Sequence, residues 1–202
     1  VVVPDERLVL ASASPRRRKL LAELGLRFEV CPCPLPEPGR KPAAVAPAAW
    51  AEALAHFKAG AVADRHCGRW VLGADTIVVC AGILLGKPRD VHDARRMLEL
   101  QAGRVTEVIT GACLVRRADD VRRIIGHEVT LVWMRDALEE RRSYLAGGDW
   151  RGKAGAYGIQ SVGDRLVERL EGSFSNVVGL PLTLVERMLR RVDLLPAKPT
   201  GR

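Results

Sequence analysis

Two hydrophobic patterns alternate along this chain: short runs that are apolar at every position, and longer stretches in which apolar residues return every three or four positions. Leu8-Val9-Leu10-Ala11 is of the first kind and reads as a short buried strand. Behind it Ser14 is placed as an N-cap, Pro15 as the first helical residue and Leu20, Leu21 and Leu24 as an apolar face, so strand, tight turn and helix are expected. Gly25 stops that helix and Arg27-Phe28-Glu29-Val30 resumes as a strand. Residues 32–48 contain Pro32, Pro34, Pro36, Pro38, Pro42 and Pro47, which predicts an extended loop of a length that is often functional. From Trp50 to about Ala63 the chain has alanine-rich helical character, with Leu54, Phe57 and Val62 available for packing and Lys58 among them. Arg69 to Ala81 reads as a strong strand, apolar on both sides of an interruption at Gly73-Ala74-Asp75-Thr76.

Ala81-Gly82 predicts a hairpin into Ile83-Leu84-Leu85, ended by Gly86-Lys87-Pro88. Asp90 or Asp93 opens a helix to about Leu100, and residues 104–117 and 121–134 read as two long antiparallel strands joined at Ala118-Asp119-Asp120. Asp136 to Ala146 is expected to be helical with Leu138, Tyr144 and Leu145 inward, before Gly147-Gly148 breaks it. Gly152-Lys153-Ala154-Gly155-Ala156-Tyr157-Gly158 is too glycine-rich for a regular element and suits a loop that approaches a ligand or another backbone closely. Leu166 to Leu170 reads as a strand and Pro181 to Arg191 as a last helix. One domain over residues 1–192 is expected, with a disordered tail over 193–202.

At 202 residues, 48% hydrophobic and 28% charged, the chain can bury one sizeable core. Its net charge of +8 favours polyanionic ligands: nucleotides, nucleic acid or an acidic membrane surface. The nine aromatic residues are scattered, so no stacking platform for a single strand is evident, which weighs against nucleic acid as the partner. Five cysteines form an odd set and read as reduced thiols, and Cys31-x-Cys33 lacks a second pair at zinc spacing. No window is apolar enough to span a bilayer, and the start lacks a basic segment followed by an apolar stretch and cleavage site; a cytoplasmic location is the expectation.

Arg16-Arg17-Arg18-Lys19 breaks a local rule. A helix N-terminus already carries partial positive charge, so each cation there costs about 0.3–1 kcal/mol unless an anion neutralises it. The natural occupant is a phosphate group held by backbone donors, hydroxyls and guanidinium forks; the plainer reading is a solvated basic face. Asp75, inside an apolar strand, needs a partner: either it accepts backbone N–H groups at a strand bend, or it is a metal ligand or general base beside the phosphate site. Glu37, between prolines that restrict it, is either a second carboxylate for the same divalent ion or a solvated loop acid. Lys58 and Lys87 are candidate phosphate ligands or ordinary surface lysines. Gln160 offers a donor and an acceptor that suit a nucleobase edge, or is an ordinary surface glutamine. The four histidines show no metal spacing, and no P-loop is present.

Taken in order, Ser12-x-Ser14-Pro15-Arg16-Arg17, Glu37, Leu54-Ala55-x-x-Lys58-Ala59, Gly73-Ala74-Asp75-Thr76, Gly86-Lys87-Pro88, Thr110-Gly111, Lys153 to Gln160 and Asn176-Val177-Val178-Gly179-Leu180-Pro181-Leu182 resemble the Maf family of nucleoside triphosphate pyrophosphatases over about residues 7–190. The resemblance implies an α/β fold with an elongated mixed β-sheet flanked by helices and two lobes around a central cleft, similar to inosine triphosphatase-like enzymes, usually as a homodimer. It implies hydrolysis of a nucleoside triphosphate to monophosphate and pyrophosphate with a divalent cation, Mg²⁺ or Mn²⁺, in a house-cleaning role. Ala74-Asp75-Thr76 and the 153–160 segment look like the branch acting on dTTP and UTP. By matching position, Asp75 would be the proton acceptor or metal-bound base, Glu37 its carboxylate partner at the metal, and Arg16, Arg17, Lys58 and Lys87 the triphosphate clamp beside Ser12 and Ser14; Lys87 is also taken as catalytic. Arg16, Thr76 and Gln160 would govern substrate choice. The chain departs from the family at Leu35-Pro36-Glu37, where an Asp commonly precedes the Glu, and at Ser161, where a Gly often follows the Gln. The alternatives are a nucleic-acid-binding or cell-division (septum formation) regulatory protein, and a nucleotide sensor that binds without hydrolysis.

Overall fold

The computed structural model describes residues 8–39, 41–159 and 165–195. In chain order the strands are β1 (Leu8–Leu10), β2 (Phe28–Val30), β3 (Trp70–Cys80), β4 (Ile83–Leu85), β5 (Val105–Arg117), β6 (Val121–Met134) and β7 (Val167–Glu171). The α-helices are α1 (Pro15–Ala22), α2 (Pro47–Ala63), α3 (Val91–Gln101), α4 (Leu138–Gly147), α5 (Phe174–Val178) and α6 (Leu182–Arg190), with a 3₁₀ turn at Ala154–Ala156. The strands form one mixed sheet in the order β2-β1-β3-β5-β6-β7, with β4 added to β3. β1 runs parallel to β2 and β3, and the remaining pairs are antiparallel. The elongated mixed sheet flanked by helices is the fold class expected.

The long strand β3 organises the molecule. Along one edge it pairs with β5 over its whole length, from Trp70↔Arg116 to Cys80↔Thr106. Along the other edge β1 covers only Val71 and Leu72, and β4 only Val78 to Cys80. Residues 73–77 are therefore paired on the β5 side alone among the described residues, leaving a notch in the sheet edge. Asp75 and Thr76 sit in that notch. Successive strand residues point to opposite faces, so only at such a gap can a ligand reach both.

Helix α2 covers one face, packing Ala55, Ala59 and Val62 against Val71, Cys113 and Val115. The larger core lies on the other face, where Leu20 and Leu21 of α1, Met97 and Leu98 of α3, Tyr144 of α4 and Met188 and Leu189 of α6 meet Leu72, Val78 and Leu114. The approach of α2 depends on two glycines. A Cβ at Gly73 would lie 2.4 Å from the Ala55 carbonyl oxygen, and one at Gly111 would lie 2.3 Å from that of Ala51. Alanine on the helix and glycine on the strands thus bring two backbones nearly into contact.

Several expectations change. The Gly73–Thr76 segment does not interrupt β3: Asp75 pairs with Gly111 and Thr76 with Thr110 in unbroken register, because small residues here admit the helix rather than bend the strand. Helix α2 starts at Pro47, three residues before Trp50, since proline is favoured in the first helical turn. Leu138 is 50% exposed instead of inward, while Tyr144 and Leu145 are buried as expected. Helix α5 was not foreseen: Ser173-Phe174-Ser175-Asn176 has turn composition, but the Ser173 side chain caps the helix by accepting from the Asn176 N–H. Leu194 and Leu195, inside the expected tail, pack against the main core, and residues 196–202 lie outside the described residues.

Candidate active site

One wall is the start of α1. Ser14 is its N-cap and accepts from the Arg17 N–H at 3.4 Å, while the Ser14 N–H donates to Ser12 Oγ at 3.2 Å. The four cations behind the cap do not share one role. Arg17 turns inward, where Nε donates to the Gly179 carbonyl at 2.7 Å and a terminal nitrogen donates to Thr76 Oγ1 at 3.1 Å. Burial pushes this guanidinium below its ordinary pKa, against the pull of Asp75 and Glu37. Arg16 faces the cleft, whereas Arg18 and Lys19 are exposed.

The Arg17 contact begins a proton-ordered chain. Thr76 Oγ1 is 2.9 Å from Thr110 Oγ1, and Thr110 donates to the Asn176 carbonyl at 3.0 Å. With its one proton committed there, Thr110 accepts from Thr76, and Thr76 accepts from Arg17. Asn176, fully buried, donates in turn to the Val108 carbonyl and Thr130 Oγ1, both at 2.9 Å. The chain ties α1, β3, β5, β6 and α5 into one frame. Gly179, at φ +123°, has a backbone conformation that L side chains rarely adopt, and its carbonyl is the acceptor for Arg17.

The other wall gathers opposite charges at the notch. Lys58 reaches from α2 to place Nζ 2.5 Å from Asp75 Oδ1 and 2.8 Å from Glu37 Oε1. Lys58 and Asp75 have side chains only 9% exposed, against 45% for Glu37. Asp75 is thus a partnered acid in a straight strand, not one held by a bend. Lys87, on the turn after β4, is 62% exposed with Nζ 3.8 Å from Glu37 Oε1. Burial works to raise the Glu37 carboxyl, but the hydrogen bond from Lys58 and the charges of Lys58, Lys87 and Arg17 outweigh it and hold it below its ordinary value.

These groups line one cleft of about 470 Å³. Ser12, Ser14, Arg16, Arg17, Glu37, Lys58, Asp75, Thr76 and Lys87 all border it. Gln160 lies outside the described residues, next to Ile159, which does border it. Arg151 and Lys153, which are not among the candidate residues, also border the cleft; the glycine density around Lys153 points to close backbone approach and not to a side-chain role. Thr110 and Asn176, which hold the frame, stand in the sequence within the Thr110-Gly111 and Asn176 to Leu182 segments that carry the family resemblance, with no role expected of either side chain.

A family model described as Maf-like protein matches residues 7–192. The chain belongs to the Maf family. Among its relatives, the dTTP/UTP pyrophosphatase of Geobacter sulfurreducens is 48% identical over 194 residues, covering 94% of this chain and 98% of that protein. The dTTP/UTP pyrophosphatase of Geobacter metallireducens is 46% identical, with 95% and 98% covered. A solved structure of a HAM1 protein from Coxiella burnetii superposes with a TM-score of 0.45 at 16% identity, covering 65% of this chain and 74% of that one. The Maf match spans both walls of the cleft, from Ser12 to Gly179.

Proposed function

We propose that this chain hydrolyses dTTP and UTP to the monophosphate and pyrophosphate, with a divalent cation, as a house-cleaning enzyme of the nucleotide pool. The observation that carries the reading is the convergence of Asp75 and Glu37 on one point, opposite the capped, cationic start of α1 in the same cleft. The names of relatives 42–48% identical over most of the chain support the substrate class.

The two carboxylates fit a metal of limited protein coordination. Their oxygens already meet on a cation, the Lys58 ammonium, and no group of three or more metal-binding side chains occurs among the described residues. Such a pair suits Mg²⁺ or Mn²⁺, ions that complete their shell with water and substrate phosphate. When held by Glu37 and Asp75, the cation supplies Lewis acidity toward phosphate oxygens and water.

The residues of the chain divide the remaining work. Backbone N–H groups at the start of α1, the Ser12 and Ser14 hydroxyls and Arg16 hold phosphate oxygens, so that charge building on the departing pyrophosphate meets fixed donors. Lys58 and Lys87 neutralise the triphosphate from the opposite side. Lys58 engages Asp75 Oδ1, which leaves Oδ2 to take the proton of the water attacking the α-phosphorus. Arg17 spends its donors on Gly179 and Thr76 and so keeps the wall rigid as well as charged. In this reading the enzyme works as a homodimer in the cytoplasm.

Asp75→Asn tests the assignment. Pyrophosphate release from dTTP at saturating Mg²⁺ should fall roughly 10²–10⁴-fold, the usual worth of a positioned base. A rate near wild type refutes it.

A further inference from the structure

We propose that Lys153 reads the substrate's base: its ammonium donates to the O4 carbonyl of thymine or uracil and disfavours cytosine, whose exocyclic amine would meet it donor against donor. The inference rests on the pyrimidine triphosphate reading above and names the group that sets its selectivity.

Besides the phosphate-binding donors the cleft has an apolar lining of Val78, Val108, Tyr157, Ile159, Val177 and Val178, and the segment that carries Lys153 packs against it, since a Cβ at Gly155 would lie 3.0 Å from a Val78 methyl. Such a slot accepts a flat ring but gives it no orientation. Lys153 brings a polar group to this part of the cleft, and its position is held. Its side chain lies across Gly158, where an added Cβ would come within 3.0 Å of Cδ and 3.2 Å of Nζ. Nζ stands 3.4 Å from the hydroxyl of Tyr144, a residue only 1% exposed. No carboxylate forms an ion pair with Lys153 among the described residues. Burial and the Arg16 charge press the ammonium below its ordinary pKa, with Asp149 opposing. A partly desolvated ammonium with spare protons seeks an acceptor, and it has none to offer. Thymine and uracil share O4, while cytosine carries N4 in its place. A site built around one hydrogen bond rejects the analogue that cannot make it.

The rival is that Lys153, beside Arg16 and Arg151, adds charge for the phosphates. Steady-state pyrophosphate release from dTTP, UTP and CTP separates the two, using wild type, Lys153→Met, Lys153→Gln and Tyr144→Phe, with folding of each followed by thermal melting. Lys153→Met should lower kcat/KM for dTTP and UTP roughly 10- to 100-fold, the worth of a hydrogen bond from a charged donor, and leave CTP within about threefold. Lys153→Gln, whose amide oxygen can accept from N4, should raise CTP relative to UTP. Tyr144→Phe removes only the anchor and should shift selectivity the same way as Lys153→Met by a smaller factor, which keeps the proposal testable if Lys153→Met fails to fold. A uniform fall across the three nucleotides, matched by weaker inhibition by inorganic pyrophosphate, would overturn the proposal in favour of a phosphate ligand, and unchanged selectivity would overturn it outright. If wild type releases no pyrophosphate from any of the three, the functional reading itself falls, a result distinct from either.

Discussion

Replacing Gly111 or Gly73 by alanine should cost both stability and activity through one displacement. An alanine Cβ at Gly111 would stand 2.3 Å from the Ala51 carbonyl oxygen, and at Gly73 2.4 Å from that of Ala55, where ordinary contact begins at 3.4 Å. Helix α2 must therefore move off the sheet by about 1 Å, the difference between those distances, since the obstructing atoms are backbone and cannot rotate aside. Overpacking of this kind costs about 1–3 kcal/mol, of which the loss of glycine's freedom in the unfolded chain returns about 0.4–1 kcal/mol. A net loss of about 1–2 kcal/mol corresponds to a fall in Tm of about 2–8 °C for a chain of this length. Activity should suffer more. Lys58 rides on the same helix, and a misplacement of about 1 Å in a positioned group can cost roughly 10²-fold in rate. Gly126→Ala is the control, because its Cβ would meet Leu184 and Met188 side chains at 3.5 Å, an ordinary contact. Thermal melting and pyrophosphate release from dTTP measure the two effects. Gly111→Ala and Gly73→Ala variants with wild-type stability and turnover would show that α2 does not need its close seat on β3 and β5.

Lys58→Met should lose about 3 kcal/mol of stability, because it leaves buried Asp75 without its counter-charge. Added Mg²⁺ should restore much of the Tm in this variant; failure of that rescue would argue against a cation held by Asp75 and Glu37. Glu37 has a folded pKa below its unfolded one, so the stability it contributes is present above the unfolded value and is lost as pH falls through the depressed folded value. Melting of wild type against Glu37→Gln should give a small Tm difference that is constant above about pH 5 and closes below about pH 4, small because the half-exposed carboxylate is screened. A difference that instead grew on acidification would contradict the Lys58–Glu37 pairing.

What could be read from the residues alone was local. Ser14 and Pro15 announce a helix start because capping and proline geometry are decided within four residues. Lys58 stood out as a charge among alanines, and Asp75 as an acid in an apolar strand; each was half of a pair visible only as an anomaly. The pairing itself depends on α2 crossing β3 at Gly73, a contact that no periodicity encodes. Arg17 illustrates the same limit: its position in the cationic run suggested a phosphate ligand, yet its Nε bonds to a carbonyl 162 residues away. That bond changes the electrostatics of the helix start. A guanidinium anchored to Gly179 and Thr76 has its charge partly satisfied by protein oxygens, so of the four cations Arg16 is the one both aimed into the cleft and left to the ligand. The same logic explains the notch. Had β1 continued in register for four more residues, its pairing would have covered Asp75 and Thr76 and closed the notch; Ser12 and Ser14 turn the chain away from the sheet at that point, which is why the residues that end the first strand are also residues that line the cleft.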